Sequence, residues 1–487
     1  MSQGRAAACQ SRESDWSRLH VLVAGIGVAG YAAADALMQL GAQVTVIDSA
    51  DGEPQRQRAE VLQMLGAQVR LGSAAELGES DLASDLLVVS PGLRPDDRWI
   101  RRAQQAGVPV WGELELAWRL QSAQDPAPWL LVTGTNGKTT TTLMLESILR
   151  ADGRQVAAAG NIGTSLVDVV MHEQLDVIAV EVGAPQLPFA GSLSPLAAAC
   201  LNIAEDHLDH FGSFEAYVAA KARVYERTAV AAIFNAEDQA TVHMVEQAEV
   251  IEGCRAIGFT LGLPDVSMLG VVDGMLVDRA FVPDRRRSAA ELAAVEDVQP
   301  AAPHNVANAL AAAALARAYG VAPAAVRDGL RSFVPAGHRI AQVAELDGVR
   351  FVDDSKATNA HAALTSLGAY PSIVWIAGGL AKGQAFDDLV RAARTRLRAC
   401  VLLGQDQAVI AAALADHAPQ VPVVQVAGSD PDAMTAVVQA AASLAQPGDT
   451  VLLAPGCASW DMFRDYGHRG DAFAAAVHRL AMDRAGR

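Results

Sequence analysis

Membrane-length apolar runs, paired cysteines and an excess of positive charge are all missing from this sequence of 487 residues. No uninterrupted apolar stretch approaches the roughly 18 residues that a membrane-spanning helix needs, and Met1–Arg18 contains no apolar signal core. The five cysteines lie far apart without a C-x-x-C pair, which argues against a disulfide framework or a thiolate zinc site. The formal net charge of −17 argues against nucleic acid as a partner. We therefore expect a cytoplasmic protein with reduced thiols and without a membrane anchor.

Length and periodicity predict a three-domain α/β protein. The chain is long enough for about three domains of roughly 150 residues, and its hydrophobic and charged fractions, 51% and 19%, are those of a globular protein. Strand-like runs alternate with helical runs in the first block and in the last, which predicts parallel sheets covered by helices. The charged segment 284–298 is predicted to be a solvated loop and helix. Breaks at 124–128 and 334–339 separate a Rossmann-like domain, 1–124, a central domain with a phosphate loop and a mostly parallel sheet, 125–336, and a second Rossmann-like domain, 337–487.

The first glycine cluster lies between a predicted strand and a predicted helix and reads G-x-G-x-x-G from Gly25 to Gly30. Backbone amides at such a helix start can hold a diphosphate, and Asp48 at the end of the next strand can contact a ribose or a base. The turn Ser90–Gly92 follows another strand and either faces the same ligand or only ends that strand. The pattern indicates a nucleoside diphosphate and leaves a nicotinamide dinucleotide open. The candidate contacts are Gly25, Gly27, Val28, Ala29, Gly30, Asp48, Ser90 and Gly92.

A second glycine-rich loop, TGTNGKTTTT at 133–142, follows the apolar strand 129–132 and precedes a helical run. Its glycines are closer together than in G-x-x-x-x-G-K-[ST], yet its position is that of a phosphate loop. Lys138 can reach the β- and γ-phosphates, and the hydroxyl of Thr139 or Thr140 can bind Mg²⁺. A simple turn rich in glycine and threonine is the rival interpretation. The predicted nucleotide contacts are Gly134, Thr135, Asn136, Gly137, Lys138, Thr139 and Thr140.

The helix that is predicted to begin near Ser213 carries a lysine on its apolar face. Lys221 falls in an apolar stripe with Tyr217 and Val224 at helical spacing. Desolvation favours the neutral amine, which can condense with CO₂ to give a carbamate, an oxygen ligand suited to Mg²⁺. Helix geometry alone leaves open that the Lys221 side chain extends to solvent or pairs with an acid.

The shortened loop T-G-T-N-G-K-T-T resembles that of the Mur ligases and their relatives the folylpolyglutamate synthases, and the resemblance spans nearly the whole chain. These enzymes use ATP to join an amino acid to a carboxylate. The stretch A-A-K-A-R-V-Y around Lys221 is similar to the family's motif for a carbamylated lysine. Gly160–Gly163 matches the family's G-N-I-G, whose asparagine, here Asn161, contacts the acceptor. The resemblance implies ATP and two Mg²⁺ ions as cofactors, with metal contacts from Thr139, Glu181, His207 and carbamylated Lys221.

Motifs in the last third of the chain resemble the family's nucleotide and amino-acid contacts. An H-N-x-x-N motif implies that Asn305 contacts adenine, whereas helix capping is the rival interpretation. Arg339 matches the arginine that reaches the γ-phosphate. The stretch D-D-S-K-A-T-N at 353–359 resembles the signature of the D-glutamate-adding branch, which implies that Asp354 contacts the ribose. The implied amino-acid contacts are Lys356, Thr358, Lys382, Ser459, Trp460 and Tyr466.

The resemblance implies a monomeric ligase of peptidoglycan precursor synthesis. Its substrates would be UDP-N-acetylmuramoyl-L-alanine and D-glutamate, joined through an acyl phosphate. The family's E-x-S-S-F-Q-L is here E-V-G-A-P-Q-L at 181–187, without both serines and the aromatic ring. Three other interpretations stay open: a ligase for another amino acid, a nicotinamide-dependent oxidoreductase, and a nucleotide-binding protein without catalysis. The implied catalytic residues are Lys138, His207, Lys221 and Arg339.

Overall fold

The computed structural model describes residues 3–79, 81–334, 337, 340–428 and 432–485. The chain forms two compact units, Met1–Phe333 and Val334–Arg487. Among the described residues, no helix is both long and apolar enough to cross a membrane. All five cysteines carry free thiols, and four of them are buried.

The first unit begins with a parallel sheet and its helices: α1 (Gln3–Ala8), β1 (His20–Ala24), α2 (Val28–Gln39), β2 (Gln43–Asp48), α3 (Glu53–Met64), β3 (Gln68–Leu71), β4 (Leu86–Val89), α4 (Arg98–Gln105), β5 (Val110–Gly112) and α5 (Glu113–Arg119). The strand order is β3-β2-β1-β4-β5. The apolar residues of β1 and β4 are buried because helices cover both faces of the sheet. The order reverses between β1 and β4, so the carboxyl ends of these strands flank the crevice where such sheets bind ligands.

The same unit continues with a nine-stranded sheet and its helices: β6 (Trp129–Thr133), α6 (Lys138–Ala151), β7 (Val156–Gly160), α7 (Leu166–His172), β8 (Val177–Glu181), β9 (Ala197–Cys200), α8 (Leu208–Phe211), α9 (Phe214–Ala222), β10 (Ala231–Asn235), α10 (Gln239–Glu246), β11 (Arg255–Phe259), β12 (Met268–Val272), β13 (Met275–Asp278), β14 (Ala290–Ala294), α11 (Pro303–Tyr319) and α12 (Pro323–Ser332). The order is β14-β13-β12-β11-β10-β9-β6-β8-β7, and only the pairings of β13 are antiparallel. The segment 284–298 was predicted to be a loop and helix; residues 284–289 form a loop, but the prediction of a helix is wrong. Ala290–Ala294 pairs with β13, and only a 3-10 turn, Val295–Asp297, follows it.

The two sheets of the first unit share an apolar core. One continuous cluster joins Val21 of β1 and Leu114 of α5 to Leu166 of α7 and Val180 of β8. A second cluster lies on the other face of the central sheet, where the alanine-rich helix α11 packs against α6. The shared core fixes the first glycine cluster and the phosphate loop within one compact body.

The second unit holds a six-stranded sheet and its helices: β15 (Ala341–Leu346), β16 (Val349–Asp353), α13 (Ala360–Gly368), β17 (Ile373–Gly378), α14 (Asp387–Ala393), β18 (Leu397–Leu403), α15 (Gln407–His417), β19 (Val423–Gln425), α16 (Ala433–Leu444), β20 (Thr450–Leu453) and α17 (Tyr466–Ala485). The order is β15-β16-β20-β17-β18-β19, with only β15 antiparallel. The predicted fold class, α/β with three mostly parallel sheets, is confirmed. The domain boundaries at 124/125 and 336/337 stay predictions.

Candidate active site

The phosphate loop, residues 134–137, connects β6 to α6 at the carboxyl end of the central sheet. Because β6 lies between β8 and β9, the ends of three parallel strands surround this loop. Gly134 and Gly137 have φ angles of +150° and +84°, which residues with side chains rarely adopt, and a Cβ at Gly137 would collide with the amide oxygen of Asn308. The loop therefore requires glycine at both positions. It leads into the N-terminus of a 14-residue helix, where anions bind.

Two asparagines that were not predicted as site residues hold this loop in place. The Asn202 side chain accepts a hydrogen bond from the Asn136 amide (N···O 2.8 Å) and donates one to the Asn136 carbonyl (3.1 Å). Asn308 contacts Gly137 from α11. Asn308 is the last residue of the H-N-x-x-N motif, and this motif could have marked it as a site residue. Asn202 lies 66 residues from its partner and has no local signature.

Lys138, the first residue of α6, turns back over the phosphate loop. Its Nζ donates hydrogen bonds to the carbonyl oxygens of Gly134 (2.9 Å) and Thr135 (2.8 Å). The hydroxyls of Thr135 and Tyr217 share a hydrogen bond of 2.9 Å, which ties the loop to α9. The ammonium group thus lies at the loop that is predicted to hold phosphates.

Lys221 lies on α9 and is 1% exposed. Its Nζ donates to the Gly134 carbonyl (2.8 Å) and to the Thr133 hydroxyl (3.4 Å), and it lies 5.0 Å from the centre of the Tyr217 ring. Burial, and then the nearby Lys138 cation, lower the pKa of Lys221 to about 7. The alternative in which this side chain extends to solvent is therefore wrong. A large neutral fraction of the amine is available near pH 7.

We expect Lys221→Met to raise the melting temperature at pH 7 in buffer free of CO₂. The folded-state pKa of Lys221, about 7, lies below the ordinary 10.5. The charged amine therefore destabilises the fold most at and below pH 7, and less as the pH rises towards 10.5. Methionine removes this penalty, while Lys138 still donates to the Gly134 carbonyl. Thermal unfolding at pH 7 and pH 9 measures the gain, which should shrink at pH 9. A variant that melts below the parent at pH 7 would contradict this expectation.

Glu181 ends β8 and is 1% exposed. Its Oε1 accepts a hydrogen bond from the Asn161 side chain (2.9 Å), and its Oε2 has no hydrogen-bond partner among the described residues. An unpartnered, buried carboxylate oxygen beside a phosphate loop fits a cation that prefers oxygen ligands, such as Mg²⁺. In the first turn of α6, Thr139 is partly exposed and Thr140 is buried. Of these two residues, Thr139 is the more exposed.

His207 precedes α8 in a left-handed backbone conformation, with φ of +53°. The centre of its ring lies 6.4 Å from that of Tyr217, and its Nε2 lies 3.7 Å from Oδ2 of Asp206. Tyr217 therefore lies close to both residues that are predicted to bind metal, His207 and Lys221. In the described part of the chain, no group of three or more His, Cys, Asp or Glu side chains could hold a metal ion. A metal here would need hydroxyl, carbamate or substrate oxygens as further ligands.

The segment that departs from the family pattern forms a 3-10 turn, Ala184–Phe189, after β8. The Gln186 side chain accepts a hydrogen bond from the Gly183 amide (2.8 Å), and both Ala184 and Gln186 are buried. A Cβ at Gly183 would lie 3.5 Å from the Asn161 side chain, an ordinary contact distance. Gln186, which this chain keeps from the family pattern, therefore holds the turn without the serines and the aromatic ring.

Asn305 lies inside α11, which begins at Pro303 with Ala302 as its N-cap. The capping interpretation of Asn305 is therefore wrong. Its side chain donates to the carbonyl oxygen of Pro300 (3.2 Å) and accepts a hydrogen bond from Asn308 (3.4 Å). The contact of Asn305 with adenine stays a prediction.

The first glycine cluster and the turn Ser90–Gly92 lie side by side at the carboxyl ends of β1 and β4. The Ser90 hydroxyl donates to the Gly25 carbonyl (3.2 Å). The two Asp48 carboxylate oxygens accept hydrogen bonds from the backbone amides of Ile26 and Ala50, each at 2.8 Å. Asp48 thus shapes the glycine loop itself. The start of α2 contributes the remaining predicted contacts, Gly27, Val28, Ala29 and Gly30.

The second unit places its predicted amino-acid contacts beyond the carboxyl ends of neighbouring strands, β16, β17 and β20. The Lys356 Nζ lies 3.8 Å from the centre of the Tyr466 ring, and the Lys382 Nζ lies 4.5 Å from the centre of a Trp460 ring. Ser459 is buried, whereas Trp460 is 65% exposed. Each ammonium group therefore lies over an aromatic ring, at a distance typical of a cation–π contact.

The loop after β16 carries two further predicted contacts, Asp354 and Thr358. Asp354 is buried and accepts hydrogen bonds from the Ser366 hydroxyl and the Ile340 amide. Arg339, the predicted γ-phosphate contact, lies outside the described residues, so its role stays a prediction.

Arg469, which was not predicted as a site residue, joins the two loops that carry the amino-acid contacts. Its guanidinium is buried and donates to the hydroxyl and the carbonyl of Ser355 (2.9 and 2.8 Å) and to the Cys457 carbonyl (3.0 Å). Ser355 lies 114 residues away, so no local pattern marks this contact.

Three family models match the chain along its length. They are described as Mur ligase MurD-like, N-terminal domain, at 19–112, Mur ligase middle domain, at 132–316, and Mur ligase, glutamate ligase domain, at 338–457. The chain is 59% identical to a UDP-N-acetylmuramoylalanine–D-glutamate ligase of Streptomyces coelicolor, over 96% of this chain and 99% of that protein. A Thermobifida fusca protein of the same name is 53% identical, over 95% and 98%.

Solved structures share the fold at much lower identity. A UDP-N-acetylmuramate-alanine ligase from Thermotoga maritima superposes with a TM-score of 0.57 at 20% identity, covering 96% of this chain and 100% of the other. A pseudomurein peptide ligase type C from Methanothermus fervidus gives 0.56 at 17%, covering 95% and 100%. From the family models and the near-full-length identities, the chain belongs to the Mur ligase family.

Proposed function

We propose that this protein is a UDP-N-acetylmuramoylalanine–D-glutamate ligase that uses ATP. Two proteins of that name are 59% and 45% identical to it, over 96% and 94% of its length. The structural observation that carries the proposal is the position of the buried Lys221 amine, 2.8 Å from the Gly134 carbonyl of the phosphate loop. Glu181, which also borders this loop, keeps one carboxylate oxygen without a hydrogen-bond partner among the described residues. This arrangement suits transfer of a phosphoryl group.

A carboxylate is a poor electrophile, so ATP must activate it first. One carboxylate oxygen of the muramoyl-L-alanine substrate attacks the γ-phosphorus, and ADP leaves, which gives an acyl phosphate. The neutral α-amine of D-glutamate then attacks the acyl carbon, loses a proton to solvent, and expels inorganic phosphate to form the amide. Lys138 neutralises charge on the phosphoryl oxygens, and the phosphate loop orients them. Arg339, by its match to the family, supplies a second cation.

Two Mg²⁺ ions are part of the proposal. Thr139 and Glu181 would hold one ion with the nucleotide, and His207 and carbamylated Lys221 would hold the other. The unpartnered Oε2 of Glu181 and the lowered pKa of Lys221 support this assignment. Bound Mg²⁺ neutralises phosphate charge and orients the oxygens for in-line transfer.

The remaining contacts are assigned by their positions. The first glycine cluster, with Ser90–Gly92, would hold the UDP diphosphate, and Asn161 the acceptor. Lys382 and Lys356, each over an aromatic ring, would pair with the carboxylates of D-glutamate, which has two. We further propose a monomer that works in the cytoplasm. Asn305 and Asp354 would contact the adenine and the ribose of ATP.

Phosphate release tests the proposal directly. Purified protein is supplied with Mg-ATP and UDP-N-acetylmuramoyl-L-alanine, and then with D-glutamate, L-glutamate or a diamino acid in parallel. We expect phosphate release that depends on the acceptor and on D-glutamate, with the amide product detected by mass. Release that depends on L-glutamate or on a diamino acid would remove the substrate assignment.

A further inference from the structure

Helix α5 of the first domain carries two buried carboxylates that reach the central domain. Glu113 is 5% exposed, and its Oε1 accepts hydrogen bonds from the Ser165 hydroxyl (3.2 Å) and the Leu166 amide (3.0 Å). Glu115 is 1% exposed and uses both oxygens. Its Oε2 accepts a hydrogen bond from the Ser192 amide (2.7 Å). Its Oε1 accepts hydrogen bonds from the Ser192 hydroxyl and from Nε of Arg119, both at 2.6 Å.

The partners of both carboxylates adjoin the loops that border Glu181. Ser165 follows Gly160–Gly163, the segment whose Asn161 side chain donates to Glu181. Ser192 follows the 3-10 turn Ala184–Phe189. The same turn also contacts the residue before α5, because a Cβ at Gly112 would lie 3.2 Å from the Cβ of Phe189. Helix α5 thus holds two loops of the central domain from the side of the first domain.

We propose that Glu115 is a positioning residue whose two acceptor oxygens set the distance between the UDP contacts of the first domain and the acceptor loops of the central domain. Glu113 adds a contact that needs only one acceptor oxygen. This inference rests on the proposed function, in which one substrate molecule spans both sets of contacts. A ligand held at two places binds well only when their separation is fixed beforehand. Glu115 supplies that constraint through Ser192, which follows the 3-10 turn Ala184–Phe189.

The hydrogen-bond patterns make the two residues chemically different. Among the described residues, both donors to Glu113 reach the same oxygen, so glutamine at 113 keeps an acceptor for them. Burial raises the pKa of Glu113, so a neutral side chain suits this position. Glutamine at 115 would instead turn an amide nitrogen towards the Ser192 amide or the Arg119 guanidinium. Although burial raises the pKa of Glu115, the Ser192 hydrogen bonds and Arg119 outweigh it and hold that pKa below its ordinary value.

The test compares Glu115→Gln with Glu113→Gln in the full chain. We expect Glu115→Gln to raise the KM for UDP-N-acetylmuramoyl-L-alanine about tenfold, because a buried donor loses its acceptor, with the KM values for ATP and D-glutamate within about twofold of the parent. Glu113→Gln, the matched control, should stay within about twofold for all three substrates. Equal effects of the two variants, or a Glu115→Gln change spread over all three KM values, would overturn the inference.

Amide hydrogen exchange tests the positioning role of Glu115 without measuring catalysis. In Glu115→Gln we expect faster amide exchange in peptides covering 184–193 and unchanged exchange in 138–151, whereas Glu113→Gln should match the parent in both. Unchanged exchange at 184–193 would overturn the inference. If Glu115→Gln does not fold, Ser192→Ala removes one of the hydrogen bonds and should shift exchange in the same segment. If the parent protein has no ligase activity, the proposed function is wrong. The exchange data would still test the role of α5.

Discussion

Lys221→Ala is expected to lower turnover by about a hundredfold to a thousandfold, the range seen when one stabilising group is removed from a transition state. The Lys221 amine is buried beside the Gly134 carbonyl of the phosphate loop, and its pKa of about 7 leaves it largely able to combine with CO₂ near neutral pH. The resulting carbamate would provide oxygen ligands where the described side chains alone form no metal site. Acetate should restore part of the activity, because a small carboxylate can enter the space that alanine leaves.

The carbamate itself can be observed because lysine is so rare in this chain. Only four lysines occur, Lys138, Lys221, Lys356 and Lys382, and every other Lys or Arg position is arginine. With carbon-13-labelled bicarbonate, we expect one carbamate resonance from the parent and none from Lys221→Ala. Lys382→Ala serves as the matched control and should keep the resonance. Full activity of Lys221→Ala, or a resonance that persists in it, would exclude the carbamate.

Lys138→Ala is expected to reduce turnover by about a hundredfold to a thousandfold as well, for a different reason. The ammonium group of Lys138 lies over the phosphate loop, bonded to the carbonyls of Gly134 and Thr135. Its loss removes the positive charge nearest to the predicted phosphates. Lys138→Arg should stay impaired, since the planar guanidinium cannot replace a compact ammonium group bonded to two carbonyls.

Rates of phosphate release and the affinity for ATP measure the effect of Lys138→Ala. Arg150 offers a control on the same helix, because it lies in the last turn of α6 and forms an exposed ion pair with Glu146. Arg150→Ala should remain within about twofold of the parent, as exposed ion pairs contribute little. Equal turnover of Lys138→Ala and Arg150→Ala would remove Lys138 from the mechanism.

The local features of the site were predictable from the sequence. A strand, a glycine-rich loop and a helix follow one another between 129 and 151, and this order alone predicted where a phosphate loop lies. The apolar stripe placed Lys221 on the inward face of a helix, because residues three and four apart share one face, but the stripe alone left open that the amine extends to solvent. Both features depend on short stretches of chain, within which periodicity and glycine position are informative.

The prediction of a helix within 284–298 failed because the composition favours a helix, whereas the neighbouring strand β13 favours a strand. Ala290–Ala294 contains alanine, glutamate and leucine, which are good helix formers. Antiparallel pairing with β13 buries Leu292 and Ala293, and this tertiary contact outweighs local preference.

Contacts between distant segments could not be predicted from a single sequence. Glu115 and Ser192 lie 77 residues apart, and Arg469 and Ser355 lie 114 apart. A polar residue of this kind looks like any surface residue until the fold buries it beside its partner. Asn308 was partly predictable from the sequence. The motif placed it on α11, but only the structure shows its contact with Gly137.

The most direct test of the central claim, that ATP activates the acid as an acyl phosphate, follows the oxygen atoms of the carboxylate. UDP-N-acetylmuramoyl-L-alanine labelled with oxygen-18 in its carboxylate is incubated with Mg-ATP, D-glutamate and the parent protein, and the released phosphate is analysed by mass spectrometry. We expect one labelled oxygen in each phosphate and one in the amide carbonyl of the product. Amide formation with unlabelled phosphate would contradict the central claim.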